Sequence, residues 1–142
     1  MNREPIHVAL FALVTACGSF ATKSRILRHW TDVPSAEMPA AFLAHKKDGA
    51  IYAGKGMPPK WTMTFDVYFY VESSNPDVPP STMMNSIMDA LEAALAGSPA
   101  DPFNQTLGGL VSHCRIGGGD IQTDEGTLGN LSVTIVPIEI VL

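Results

Sequence analysis

Apolar and polar residues alternate without interruption from Trp61 to Val71. Trp61, Met63, Phe65, Val67, Phe69 and Val71 occupy one set of positions, and Thr62, Thr64, Asp66, Tyr68 and Tyr70 the other. A period of two is the mark of a strand with one buried face, so this segment predicts the anchor of a sheet, its Trp61, Phe65 and Phe69 face lying in the core. From Pro5 to Cys17 the period changes: Ile6, Leu10, Leu13, Val14 and Cys17 form one helical stripe, with Pro5 in the first turn and Gly18 just past the end. A second helix runs from a capping Ser81 to about Ala96 and stops at Gly97, with Met84, Ile87, Met88, Leu91 and Leu95 as its buried stripe. Its methionines read as gap-filling core side chains.

Between these anchors the signals are weaker. Ile26 to Trp30 reads as a short strand carrying Arg28 and His29, Val33 to Pro39 as a connector, and Ala40 to Ala44 as a strand. His45 to Lys60 is rich in lysine, glycine and proline, with Ile51 and Tyr52 as its main apolar content, and predicts an extended hairpin or loop projecting from the core. Ser73 to Pro80 is a polar, proline-rich break, and Ser98 to Asn104 a loop. Leu107 to Ile116 and Leu131 to Leu142 read as strands joined by a glycine-rich connection, and a change of phase at Val136 and Pro137 predicts a bulge or an edge there. The expected fold is therefore a single α+β domain spanning residues 1–142: a largely antiparallel sheet of four to five strands, two helices packed on one face, and a projecting hairpin or loop.

Composition narrows the functional classes. The 46% apolar and 16% charged content is that of a folded domain and lies slightly on the apolar side, which suggests a surface that meets a partner. The longest apolar run, Val8 to Cys17, falls short of the roughly 20 residues of a membrane span, so no membrane partner is expected. Net charge is −5, which argues against a general nucleic-acid binder. That total hides an asymmetry. Residues 1–60 hold eight basic and four acidic residues, for +4, whereas residues 61–142 hold Arg115 against ten acidic residues, for −9.

Candidate chemistry is sparse. His113 and Cys114 are neighbours, but on a strand they point to opposite faces, giving one core thiol and one surface imidazole instead of a nucleophile and base. Gly117-Gly118-Gly119 is followed by neither a lysine nor a helix and reads as a turn, not a phosphate cradle. Asp120, Asp124 and Glu125 before Gly126 lack the alternating ligands and closing glutamate of a calcium loop. His7, His29, His45 and His113 have no zinc-ligand spacing, Cys17 and Cys114 read as free thiols, and Asp66, Glu72, Asp89 and Glu92 fit solvated faces. No catalytic, metal or cofactor site is expected.

The order of elements carries a further indication. Arg3-Glu4-Pro5-Ile6 opens the first helix, Met38-Pro39-Ala40 leads into a strand, and Pro59-Lys60-Trp61-Thr62-Met63 follows the lysine-rich projection. A helix led by Pro80 comes next, then Gln105-Thr106-Leu107-Gly108-Gly109-Leu110-Val111 and Val136-Pro137-Ile138-Glu139-Ile140. Over nearly its whole length the chain resembles the tail terminator, or tail completion, proteins of long-tailed bacteriophages. The resemblance implies a small α/β subunit of a hexameric ring that caps the tail tube, fixes its length and joins the head-completion or neck protein, acting in the virion tail after assembly in the host cytoplasm. It implies no enzyme activity, cofactor or catalytic residue.

A head-to-tail ring suits a subunit with one basic and one acidic surface. The expected contact sets Lys46, Lys47, Ile51, Tyr52, Lys55 and Lys60 of the projection against Asp120, Asp124 and Glu125 of a neighbour. An acidic lumen would let DNA pass without specific binding. The alternatives are a head–tail connector subunit and a monomeric ligand-binding module with its site on the Tyr68 and Tyr70 face.

Overall fold

The computed structural model describes residues 1–102, 104–127 and 129–142, leaving out Phe103 in the Ser98–Asn104 loop and Leu128 in the glycine-rich connection. The elements run α1 (Arg3–Thr15), β1 (Thr22–Ser24), two single 3₁₀ turns (Trp30–Asp32 and Ser35–Glu37), β2 (Ala40–Ile51), β3 (Lys60–Glu72), α2 (Ser81–Leu95), β4 (His113–Ile116), β5 (Gln122–Gly126) and β6 (Gly129–Val141). They form an α+β fold with one six-stranded sheet in the order β1-β2-β3-β6-β4, β5 lying beside the other half of β6. Every pairing is antiparallel except that of β1 with β2.

β3 is the central strand, and its odd-numbered residues build the main core. Met63, Phe65, Val67 and Phe69 are fully buried beneath Ile6, Leu10 and Val14 of α1 and Met84, Ile87, Leu91 and Leu95 of α2. Burying one such side chain stabilises the fold by roughly 1.5–3 kcal/mol, so this double stripe outweighs every surface interaction in the chain. Trp61 departs from the expected core face. It lies at the frayed end of the stripe, half-exposed, with the Arg3 guanidinium 5.6 Å from its ring centroid.

The opposite face is covered as well, most deeply over its far half. Val33, Ala40, Phe42 and Tyr70 form a second buried cluster under the segment carrying the two 3₁₀ turns. The Tyr70 hydroxyl donates to the Arg28 carbonyl at 2.7 Å, which pins that segment down.

Several boundaries differ from those the sequence predicts. Ile26–Trp30 is not a strand: Ile26 is exposed, and the parallel edge strand is Thr22–Ser24 instead. Ser81 is the first helical residue, preceded by Pro80, and makes no capping bond. α2 ends as expected, because Gly97 has φ +92° and a Cβ there would collide with the carbonyl oxygens of Asp101 and Asn104. Leu107 and Val111 are buried, yet they reach the core from a turn, since Gly108 and Gly109 take positive φ and postpone the strand to His113. β5, the strand beyond the expected four or five, hides in the glycine-rich connection because Gln122–Gly126 buries neither face and shows no apolar period.

The phase change in β6 is not a bulge. Ser132, Thr134, Val136, Ile138 and Ile140 are all buried, and the register with β3 is continuous from Thr62 to Glu72. The apolar pattern breaks because two inward positions carry hydroxyls, Thr134 bonding Thr123 across the strands at 3.1 Å. Nor is Pro137 at an edge: it lies opposite Asp66 of β3, and its carbonyl accepts from the Gly117 N–H at 3.0 Å on the other side, at the seam where β6 exchanges β5 for β4.

Leu91→Ala, at a fully buried position, is expected to cost about 2–5 kcal/mol. Val8→Ala, on the exposed face of α1, should stay within about 0.5 kcal/mol. Urea unfolding should report the first as a lowered midpoint at unchanged slope.

Candidate functional site: the projecting hairpin and its base

The β2–β3 hairpin changes character halfway along. Ala40 to Leu43 are buried, whereas His45 to Asp48 are exposed. His45–Ile51 nevertheless belongs to the sheet, paired with Lys60–Phe65, so the projection beyond the sheet is shorter than expected and consists of Tyr52–Pro59. A β-bulge between His45 and Lys47 separates the two halves. The extra residue, Lys46, reaches the Asp66 carboxylate at 3.8 Å and places its ammonium 5.5 Å from the Tyr68 ring centroid. Lys47, opposite Thr64, follows on the same face. A regular strand would have sent two consecutive lysines to opposite faces.

Charge pairing within the subunit divides the basic residues. Arg3 pairs with Asp48 at 2.9 Å, Arg25 with Glu4 at 2.6 Å and Arg28 with Glu37 at 3.3 Å. Among the described residues Lys23, Lys47, Lys55 and Lys60 make no salt bridge, and three of these four lie on the hairpin, so most of the basic excess of the first half resides there. Lys46 is engaged at home by Asp66 and Tyr68, whose hydroxyl is the first cause of its raised pKa. At the tip, Ile51, Tyr52 and Met57 are 60%, 65% and 56% exposed.

The base of the hairpin carries a network that the sequence did not reveal. His45 donates from Nε2 to Asp48 at 2.7 Å, and Asp48 also accepts from Arg3. The His45 ring stacks on Phe65 with centroids 4.8 Å apart, and the His7 ring meets both, at 5.0 Å from His45 and 4.9 Å from Phe65. Arg25 donates to His7 Nδ1 at 3.1 Å while gripping Glu4, whose pKa is lowered by that bond. His7 must be neutral to accept. Burial, then the charges of Arg25 and His45, hold its pKa below the ordinary histidine value. The ion pairs are exposed and screened by solvent, so the network orients α1 against the hairpin more than it adds stability. Its members are far apart in sequence, and only the fold brings them together.

The acidic candidates lie elsewhere. Asp124 and Glu125 are on β5, opposite Val133 and Ser132 at the far end of the sheet, and Asp120 is exposed in the connection before it. From Lys60 to Glu72, β3 spans about 40 Å, so projection and acidic strand do not meet within one subunit. The glycine run packs over the sheet: Gly118, at φ +85°, lies so close to Thr64 that a Cβ would come within 3.2 Å of its methyl.

Cys114 is buried, with its thiol pushed up to about 12 by desolvation. His113 is not the surface imidazole expected: it is half-buried, its Nδ1 lying 3.1 Å from the Asn104 side-chain oxygen and its Nε2 buried without a hydrogen-bond partner among the described residues. Among the described residues no group of three or more His, Cys, Asp or Glu could hold a metal ion, and no helix is long and apolar enough to cross a membrane. Tyr70 is 3% exposed and its phenol is pushed up to about 12, chiefly by burial, so the Tyr68 and Tyr70 face is roofed over and offers no open pocket at Tyr70. No protein-family model matches the chain, and no curated protein matches its sequence.

Because the folded state binds a proton on His7 more weakly than the unfolded chain does, its contribution to stability is intact above the ordinary value of 6.5. It falls as pH drops through that value and is fully lost below the lowered folded pKa. Urea midpoints measured from pH 7.5 down to 5.5 should therefore decline, and His7→Gln should flatten that slope.

Proposed function

We propose that the chain is a structural subunit of a bacteriophage tail, a tail terminator that assembles into a six-membered ring, caps the tail tube, stops its elongation and provides the joint to the head or neck. The observation that carries this reading is the separation of uncompensated charge. Lys47, Lys55 and Lys60 lie on or beside the hairpin at one end of β3, and Asp124 and Glu125 lie on β5 at the other. A rotation that brings one end of a subunit against the other end of the next joins opposite charges at every contact and closes a ring, whereas a two-fold dimer through the hairpin would oppose lysines. The order of elements that resembles tail terminators agrees with the α+β fold. The alternative of a monomeric module binding a ligand at Tyr68 and Tyr70 is disfavoured by the roof over Tyr70.

The ring would act by position and shape, without chemistry. Its acidic second half suits a lumen that repels the DNA backbone, so DNA would pass without specific binding.

Native mass spectrometry and negative-stain electron microscopy of the purified protein should give a six-membered ring that binds one end of isolated tail tubes and retains no duplex DNA at physiological salt. A protein that stays monomeric at micromolar concentration, or holds DNA tightly, would overturn the reading.

A further inference from the structure

The exposed apolar tip and the acidic end of the sheet are linked by a feature that charge alone does not reveal. Where β3 leaves the sheet, Val71, the loop Ser73–Pro80 and the first turns of α2 enclose a groove of about 470 Å³. Its walls include Val78 and Met83, 43% and 47% exposed. Among the described residues Glu72 is the only charged one that lines it, and no lysine or arginine does. Asp77 lies in the loop that forms one wall. Glu125 faces Ser132, which in turn faces Val71, so the β5 carboxylates begin two strands away, about 10 Å from the groove.

The hairpin tip is complementary in both respects. Tyr52, Ile51 and Met57 are the exposed apolar residues, and Lys55 and Lys60 flank them with no acidic residue between Ile51 and Lys60. Tip and groove lie at opposite ends of β3, about 40 Å apart, so one cannot fill the other in the same chain. We propose that the tip loop of one copy seats in this groove of a second copy, with Tyr52 as the anchor against Val78 and Met83, and Lys55 and Lys60 against Glu72 and Asp77. This rests on the ring reading and names its contact. Tyrosine suits the anchor position, since it buries roughly 150–250 Å² and is enriched among residues that carry binding energy.

The test uses two single-surface variants of the full chain, the tip variant Tyr52→Asp and the groove variant Met83→Asp, both at exposed positions and checked by circular dichroism for unchanged fold. Native mass spectrometry should find the wild type as a ring and each variant as a monomer. An equimolar mixture should give a 1:1 complex and nothing larger, because one intact tip meets one intact groove and both remaining surfaces are blocked. In a second measurement, Tyr52→Cys/Met83→Cys should form intermolecular disulfides on mild oxidation and trap the ring as a covalent ladder. A tip variant that still forms the wild-type ring, or a mixture that stays monomeric, overturns this contact while leaving the ring reading standing. A wild-type protein that is itself monomeric overturns both.

Discussion

Pairing of β3 on both sides is the constraint on which the rest of the molecule depends. From Thr62 to Tyr70 its residues are matched with β2 on one side and with β6 on the other, apart from the bulge beside Lys46. A strand held in two registers at once cannot slip by one residue without turning Met63, Phe65, Val67 and Phe69 out of the core. That fixed alternation decides where both helices lie, because only one face offers a continuous apolar stripe. It also decides that any surface built at the start of β3 stands a full strand length from any surface built at its end.

Much of this was legible in the sequence, for identifiable reasons. The central strand and both helices announce themselves because their apolar residues repeat at the period of their own element, as Leu91 and Phe69 do. Where burial and element type part company, the reading fails. Leu107 and Val111 are buried from a turn, Ser132 and Thr134 are buried despite their hydroxyls, and Gln122–Gly126 is a strand with no buried stripe. Thr22–Ser24 was missed in favour of Ile26–Trp30 because a three-residue parallel edge carries too few side chains to show a period.

The candidate site was legible in composition but not in arrangement. The lysines and the exposed Ile51 and Tyr52 of the projection could be read from the chain. Which cations are already satisfied could not, because Arg3, Arg25 and Arg28 find their carboxylates only after folding. The same holds for the two histidines stacked on Phe65, and for the groove where β3 meets α2, whose walls come from a break that reads merely as polar and proline-rich.

The bulge in β2 has one more consequence. β1 covers only Ala40 to Phe42, so from Leu43 to Ile51 the outer side of β2 has no strand partner among the described residues and presents a free row of backbone donors and acceptors. A flat edge of that length would invite the same edge of another molecule to continue the sheet, and such continuation has no natural end. Lys46 kinks the row and Lys47 places charge beside it, two of the devices that blunt a sheet edge. The irregularity thus separates finite association through side chains from fibre growth through backbone.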